Sequence, residues 1–213
     1  MFFKNIFSHS PMSFFFNSSN YQRARTYPVI KQAFINKIKA PDVSVIIPCY
    51  NAGAFLQEAV NSVYEYCKKY SYEIIITNDG STDPQTVVIL NELSLKTCTV
   101  LHQENRGPAA ARNTAVKASS GEYLFFLDSD NKARKGYIDK GIEVLKANND
   151  VGVVYGKPFF FGENAKPRFY TKAFDFDCLL FDNYIDTCTV IRRKVWDDVG
   201  GFDEARVLYR NEV

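Results

Sequence analysis

Short apolar runs alternate along the chain with longer segments in which apolar residues recur every three or four positions. The short runs predict buried β-strands, which we place at residues 43–47, 72–77, 97–101, 123–127 and 151–155. The longer segments predict helices, which we place at 54–69, from Pro84 onward, at 108–119 and around 138–145. Regular alternation of strand and helix requires right-handed crossovers between parallel neighbours. The pattern therefore predicts an α/β fold with a mostly parallel central sheet flanked by helices.

The strand Tyr123–Leu127 leads directly into two carboxylates, Asp128 and Asp130. Its five residues are all apolar or aromatic, which indicates burial on both faces of the sheet. Because side chains alternate along an extended backbone, we expect both carboxylates to leave the sheet on the same side. Asp-x-Asp alone is typical of a solvated acidic turn. Its position at the carboxyl end of a buried strand, where open α/β sheets bind ligands, favours a site for Mg²⁺ or Mn²⁺ and phosphate oxygens instead.

Polar loops follow other predicted strands and outline one crevice with this acidic pair. They cover residues 48–51, 78–83 and 105–113. Asp83 is expected to cap the helix that Pro84 opens. The C-terminal third is less regular and predicts a strand or loop over the crevice at 159–162, a short helix at 177–181, a strand at 187–191, and a helix at 194–199 that ends at Gly200-Gly201.

The composition is that of a soluble globular protein. The 213 residues are 46% hydrophobic and 23% charged, which suits one domain with a core plus an appendage. The five cysteines are odd in number and show no C-x-x-C spacing, so we expect reduced, mostly buried thiols in a reducing, cytoplasmic compartment. No apolar run approaches the ~20 residues that a membrane-spanning helix needs.

Residues 1–41 form a basic, aromatic-rich arm. They hold six basic residues and no acid, whereas the rest of the chain holds 20 basic and 24 acidic residues. Ile30, Phe34 and Ile38 recur every four residues and predict a short basic amphipathic helix between Pro28 and Ala40. Such a helix would dock on the domain, act as a linker, or contact the inner face of a membrane peripherally. The arm also shares its composition with organellar transit peptides, and it is thin support for nucleic-acid binding, which we do not predict.

Five motifs follow one another in the body of the chain: Val-Ser-Val-Ile-Ile-Pro-Cys-Tyr-Asn, Asn-Asp-Gly-Ser-Thr-Asp, Asn-Arg-Gly-Pro-Ala-Ala-Ala-Arg-Asn, Leu-Asp-Ser-Asp and Gly-Gly-Phe-Asp-Glu. Their order and spacing closely resemble family 2 glycosyltransferases of the GT-A fold, which is a Rossmann-like α/β fold. The resemblance covers about residues 42–204. It implies one glycosyltransferase domain over residues 42–213, in which a C-terminal part of the family's domain is expected to be missing.

The resemblance implies a role for each motif. The nucleotide-sugar site would be lined by Pro48, Tyr50, Asn51, Asp79, Arg112, Asp128 and Ser129. Within it, Asp79 would accept a hydrogen bond from the base, uracil by preference, and Arg112 would contact the nucleotide or its phosphates. Arg112 could instead pair with an acid such as Asp83. Asp128 and Asp130 would hold Mn²⁺ or Mg²⁺, with Asp130 the direct ligand.

Two further side chains have open roles. Glu58 would support the first loop or be a solvated helix residue. Asn131 stands where many members of the family have a further acid, and it can supply only neutral ligation or a hydrogen bond.

The implied reaction is transfer of a sugar from a nucleotide diphosphate, such as a UDP-sugar, to an acceptor hydroxyl with inversion. The acceptor would be a glycan, a lipid-linked sugar or a protein, as in cell-surface polysaccharide assembly. In the family the catalytic base belongs to a Glu-Asp pair shortly after the Gly-Gly-Phe-Asp-Glu motif, and no such pair follows Glu204 here. Glu212 is the weak candidate that remains, because Asp203 and Glu204 belong to the motif itself.

Other functions fit the residues less well. The main alternative is a truncated or inactive module that binds a nucleotide sugar without turnover. A sugar nucleotidyltransferase would carry a Gly-rich loop with a basic residue after the first strand, and Pro-Cys-Tyr-Asn stands there instead. No G-x-G-x-x-G follows any strand, which disfavours a nicotinamide-binding domain. A phosphatase of the Asp-x-Asp type would carry that motif after its first strand, not its fourth.

Overall fold

The computed structural model describes residues 40–162 and 170–205. Within these ranges the strands are β1 (Val43–Cys49), β2 (Tyr72–Asp79), β3 (Cys98–Gln103), β4 (Tyr123–Phe126), β5 (Val153–Val154) and β6 (Val190–Arg192). The helices are α1 (Gly53–Tyr66), α2 (Pro84–Lys96), α3 (Pro108–Ala118), α4 (Tyr137–Ala147), α5 (Phe176–Phe181) and α6 (Arg193–Val199). The basic arm with its predicted helix, and Glu212, lie outside the described residues.

The strands form one sheet in the order β3-β2-β1-β4-β6-β5. The pairs β1/β2, β2/β3 and β1/β4 are parallel, as the alternation of strands and helices predicted. Strand β6 is antiparallel to both β4 and β5, so the sheet is mostly parallel, as predicted, with an antiparallel edge that the sequence pattern did not indicate. Among the described residues between β5 and β6, the six-residue helix α5 is the one regular element, and the chain returns alongside β4 in the opposite direction.

Helices cover both faces of the sheet, so the central strands are buried on both sides. All seven residues of β1 are buried. One face packs against α1, α2 and α4 through side chains such as Leu56, Leu90 and Ile142. The other packs against α3 and α6, where Phe126 lies against Trp196 with ring centroids 5.0 Å apart. Full burial of each large apolar side chain stabilises the fold by about 1.5–3 kcal/mol.

The loops at the carboxyl ends of β1 and β2 are fixed to one another. The backbone N–H of Gly53, at the start of α1, donates to the hydroxyl of Thr86 in α2 at 2.8 Å. A Cβ on Gly53 would lie 2.6 Å from the Thr86 backbone, so only glycine permits this approach. Asp83 caps α2 by accepting from the Thr86 backbone N–H at 2.8 Å, which confirms the predicted N-cap.

Differences from the predicted elements are concentrated after residue 126. Strand β4 ends at Phe126, before the two carboxylates, and β5 shrinks to two residues. Residues 159–162 form no strand and belong to a loop. Gly200 ends α6 in the left-handed conformation (φ 81°), as predicted. Among the described helices, none is long and apolar enough to cross a bilayer.

Candidate functional site

A cavity of about 510 Å³ opens at the carboxyl ends of β1, β2 and β4. The chain runs from β1 toward β2 and β3 on one side, and β4 lies on the other side, so the strand order reverses here. Open α/β sheets bind their ligands at such a reversal. The cavity is lined by Pro48, Cys49, Tyr50, Asp79, Asn105, Gly107, Pro108, Ala111, Arg112, Asp128, Ser129 and Asp130. These residues come from four of the five motifs that the sequence singled out.

Asp79 organises the wall of the cavity next to β2. Its side chain is almost fully buried, and its carboxylate accepts hydrogen bonds from the side chain of Gln103 (2.7 Å) and from the backbone N–H groups of Arg106 and Gly107 (2.8 Å each). Since a carboxylate has about four acceptor positions, these three donors from the described residues leave one for a ligand. The two bonds from the backbone hold the start of α3 in place, where Gly107 is the N-cap residue with φ 90°.

Arg112 and Asp128 form an ion pair inside the cavity. The guanidinium donates to Asp128 Oδ1 at 2.5 Å, and only 12% of the Arg112 side chain and 30% of the Asp128 side chain are exposed. The other side of the guanidinium faces the ring of Phe202, whose centroid lies 5.5 Å from Cζ. Arg112 therefore pairs with Asp128 and not with Asp83, and a fixed positive group lies beside the acidic motif.

Asp128 and Asp130 both line the cavity, although not for the reason that alternation predicted. Because β4 ends at Phe126, the two residues lie in a turn in which the Asn131 N–H donates to the Asp128 carbonyl at 2.9 Å. The Leu127 N–H still donates to the Ile46 carbonyl at 3.0 Å, so Asp128 leaves the sheet directly beside the end of β1. The turn, and not the pleat of a strand, brings Asp130 to the same cavity.

The carboxylate oxygens of this turn suit a hard divalent cation that also binds oxygen atoms of a ligand. The turn places two carboxylates, Asp128 and Asp130, at the cavity, and among the described residues there is no cluster of three or more His, Cys, Asp or Glu side chains that could hold a metal alone. Mg²⁺ and similar ions are commonly held by one or two carboxylates, with phosphate oxygens and water completing the shell. Burial raises the pKa of the nearby Cys49 thiol, which leaves that group neutral and a poor competitor for the cation.

Asn51 and Glu58 lie away from this cavity's lining. The Asn51 side chain accepts from the backbone N–H groups of Thr82 (2.8 Å) and Asp83 (2.9 Å), so it ties the first loop to the second. Asn51 adopts φ 49°, a left-handed conformation that asparagine tolerates better than most residues. Glu58 is exposed and pairs with Lys132 at 2.5 Å, which links α1 to the loop after the acidic motif.

The Gly-Gly-Phe-Asp-Glu motif is clamped to α3 by Asn113. The Asn113 amide donates to the Phe202 carbonyl (2.8 Å) and to Glu204 (2.9 Å), and its oxygen accepts from the Phe202 N–H (3.0 Å). Glu204 also pairs with Arg106. The clamp fixes the position of Phe202, whose ring packs against the Arg112 guanidinium, and so it supports the ion pair.

Asp186 and Cys188 lie near the acidic motif, although no role at the site was predicted for them. The Cys188 thiol accepts from the side chain of Asn131 at 3.4 Å, and the Cys188 N–H donates to Asp186 at 2.7 Å. Burial, followed by the charges of Asp128 and Asp186, raises the pKa of the Cys188 thiol. An antiparallel strand begins at the sheet edge where parallel strands end. Recognising β6 as antiparallel would therefore have placed the residues just before it near the acidic motif.

Comparison with known proteins gives consistent results. Residues 44–200 match the family model described as "Glycosyl transferase family 2". An uncharacterized glycosyltransferase of Rickettsia bellii is 29% identical over 198 residues, which are 89% of this chain but 27% of that protein. The chain thus spans about a quarter of the length of this curated relative.

Two solved structures share the fold. The Staphylococcus aureus protein TarS, solved in complex with UDP-GlcNAc, superposes with a TM-score of 0.63 at 23% identity, over 76% of this chain and 48% of that one. The Pyrobaculum calidifontis mannosyltransferase PcManGT, solved with GDP-Man and Mn²⁺, superposes with a TM-score of 0.57 at 20% identity, over 88% of this chain and 57% of that one.

The six-stranded mixed sheet flanked by helices is that of GT-A glycosyltransferases. The residues that line the cavity come from four of the five motifs, and all of them lie within the matched region. The chain belongs to glycosyltransferase family 2.

Proposed function

We propose that this domain binds a nucleotide-diphosphate sugar, with a UDP-sugar preferred, and transfers the sugar to an acceptor hydroxyl with inversion. The observation that carries the proposal is the cavity in which Tyr50, Asp79, Arg112, Asp128 and Asp130 meet at the carboxyl ends of three strands. A volume of about 510 Å³ lies within the range of cavities that hold cofactor-sized ligands.

Each side chain has a role that its surroundings support. Tyr50 is 52% exposed and offers an aromatic face to the base. The remaining acceptor position of Asp79 suits a ring N–H such as that of uracil. Arg112 carries a planar set of donors that suits phosphate oxygens, and it is already held beside Asp128. Ser129, between the two aspartates, adds a hydroxyl to the cavity wall.

Asp128 and Asp130 would hold Mn²⁺ or Mg²⁺ together with the diphosphate. Bound there, the cation would neutralise charge that develops on the leaving diphosphate. The ion pair of Asp128 with Arg112 means that this carboxylate already faces positive charge, so Asp130, which is exposed, is the better candidate for the direct ligand.

The test is UDP binding measured by calorimetry with and without Mn²⁺, for the wild-type chain and for Asp130→Ala. We expect wild-type affinity to rise about tenfold or more with the ion, since charge-assisted contacts contribute roughly 1.5–3 kcal/mol. Asp130→Ala should bind UDP equally with and without Mn²⁺. Asp150→Ala, on the surface after α4, is the matched control and should keep the dependence. Equal wild-type affinity under both conditions would contradict the metal assignment.

The alternative is a module that binds the nucleotide sugar without transferring it. UDP release from a panel of UDP-sugars, with and without candidate acceptors, distinguishes the two functions. Release that depends on an acceptor supports transfer. Intact UDP binding with no release from any donor supports the module. The same assay on Glu212→Gln tests the candidate base, since loss of release in that variant alone would assign the role to Glu212.

A further inference from the structure

A second cavity, of about 670 Å³, borders the acidic motif on the side away from the first. The first cavity is lined by Asp128, Ser129 and Asp130, and the second by the next residues in the chain, Asn131 and Lys132. Its other walls come from α1 and from the loop after β5, which includes Phe159 and Phe161.

The two cavities take their helical walls from opposite faces of the sheet. The first is walled by the start of α3, which packs on the face that carries Phe126. The second is walled by α1 and by Phe125 and Leu127, which belong to the core on the other face. The turn at residues 128–131 therefore separates two compartments that share one edge of the sheet.

The chemistry of the second cavity differs from that of the first. Among the described residues, four basic side chains line it: Lys132, Arg134, Lys135 and Lys157. Lys132 pairs with Glu58, and the other acids of the described wall are Glu65 and Asp186. Phe159 and Phe161 are 64% and 50% exposed, and Arg134 and Lys132 lie over their rings at 5.1 Å each. Exposed aromatic rings beside cations provide an apolar surface for a sugar face and partners for an anionic group.

We propose that the second cavity is the acceptor site, and that it takes a saccharide carrying an anionic group, phosphate or carboxylate. This inference rests on the proposed function. Transfer with inversion needs the acceptor hydroxyl to approach from the side opposite the diphosphate, and this compartment lies across the 128–131 turn from the nucleotide cavity. Arg134, Lys135 and Lys157 bind the anionic group, while Asp186, held by the Cys188 N–H, accepts a hydrogen bond from the acceptor hydroxyl.

The test is an NMR titration of the ¹⁵N-labelled chain with glucose 6-phosphate, glucuronate and glucose, each run with and without UDP and Mn²⁺. The two anionic sugars should shift resonances of residues 131–135 and 156–161 and bind about tenfold more tightly than glucose, as expected for one charge-assisted contact. Preference for glucose 6-phosphate or for glucuronate identifies the anionic group as phosphate or carboxylate.

A charge-matched pair of variants separates a site from general attraction. Arg134→Gln with Lys157→Gln should weaken binding of the preferred anionic sugar about tenfold and leave UDP affinity unchanged. Lys96→Gln with Lys117→Gln removes the same charge from exposed positions on α2 and α3 and should change neither affinity.

The possible results distinguish failure of the acceptor site from failure of the proposed function. Equal weakening by both double variants, shifts that map elsewhere, or no shifts with any sugar would overturn the acceptor site. Absence of UDP binding to the wild-type chain would overturn the proposed function, whatever the sugars do. UDP binding together with selective loss of anionic-sugar binding in the Arg134/Lys157 variant supports both.

Discussion

At the scale of single residues, the site depends on side chains that have more than one partner. Asp79 accepts from three donors, two of them at the start of α3, and Asn113 makes three hydrogen bonds to the Gly-Gly-Phe-Asp-Glu motif. Arg112 lies between them, paired with Asp128 and backed by Phe202. Because each group is fixed by its neighbours, few side chains of the cavity have to become ordered when a ligand binds.

Arg112→Lys should weaken UDP binding about tenfold even though the charge is kept. Lysine has a compact ammonium in place of the planar fork, so it cannot face Asp128 and a phosphate oxygen in the same way. Calorimetry with Mn²⁺ present measures the change. Arg106→Lys is the matched control, because the Arg106 side chain is 57% exposed and pairs with Glu204 outside the cavity lining. Equal effects of the two substitutions would contradict the role of Arg112.

Asn113→Ala should lower the free energy of unfolding by on the order of 2–3 kcal/mol. Asn113 is only 7% exposed, so the Phe202 N–H and carbonyl would lose partners that water cannot easily replace. Urea denaturation provides the measurement. Asn91→Ala, at an exposed position on α2, should cost less than about 0.5 kcal/mol. If the two variants are equally stable, the clamp contributes little.

At the scale of elements, the site is built from strand ends, helix starts and the loops between them. The caps that hold these loops are local features of the sequence: Pro84 and Pro108 open α2 and α3, and Gly200 ends α6. They position the first two loops through contacts such as that between Gly53 and Thr86. A substitution at one of these caps should therefore change the stability of the fold directly. It should change ligand affinity only as a consequence of that change in stability.

The cap at Asp83 predicts a dependence of stability on pH. Hydrogen bonds from Thr86 hold the pKa of Asp83 below its ordinary value of 3.8. A carboxylate with a lowered pKa in the folded state stabilises the fold at pH values above the unfolded pKa, and this contribution is lost as the pH falls through the folded pKa. The side-chain amide in an Asp83→Asn variant would still cap the helix but would not titrate. The difference in Tm between wild type and Asp83→Asn should shrink on acidification below about pH 4. A constant difference over that range would contradict the assignment.

At the scale of the whole molecule, the chain combines an acidic body with a basic arm. The matched family region covers residues 44–200. The arm, which holds six basic residues and no acid, precedes it. Attraction between such an arm and an anionic surface would be independent of the nucleotide cavity. It would also weaken with salt, since charges are screened over about 8 Å at physiological ionic strength.

We predict that the full chain floats with anionic liposomes at low salt and that a chain lacking residues 1–40 does not. Both proteins should bind UDP with the same affinity, because every residue of the nucleotide cavity follows Pro41. Neutral liposomes are the control and should retain neither protein. Flotation that survives removal of the arm would assign the membrane contact to the body of the chain.

The sequence by itself determined much of this protein, for reasons that are local. Hydrophobic runs indicated the positions of β1, β2 and β4, because a strand buried on both faces is mostly apolar along its length. Turn and cap residues such as Asp83 and Gly200 could be predicted, because they act on backbone groups only a few positions away in the chain. The five motifs indicated the family, and four of them line the nucleotide cavity.

Tertiary structure alone decided the features that depend on contacts between distant segments. The antiparallel direction of β6 follows from pairing with β4 and not from the apolar pattern of its own residues. That direction brings Asp186 and Cys188 to the acidic motif. Arg112 on α3 pairs with Asp128 in the turn after β4 and not with Asp83. Asn51 accepts from the backbone N–H groups of Thr82 and Asp83 in the second loop. Pairings of this kind join residues 16 to 91 positions apart, and no periodicity in the sequence encodes them.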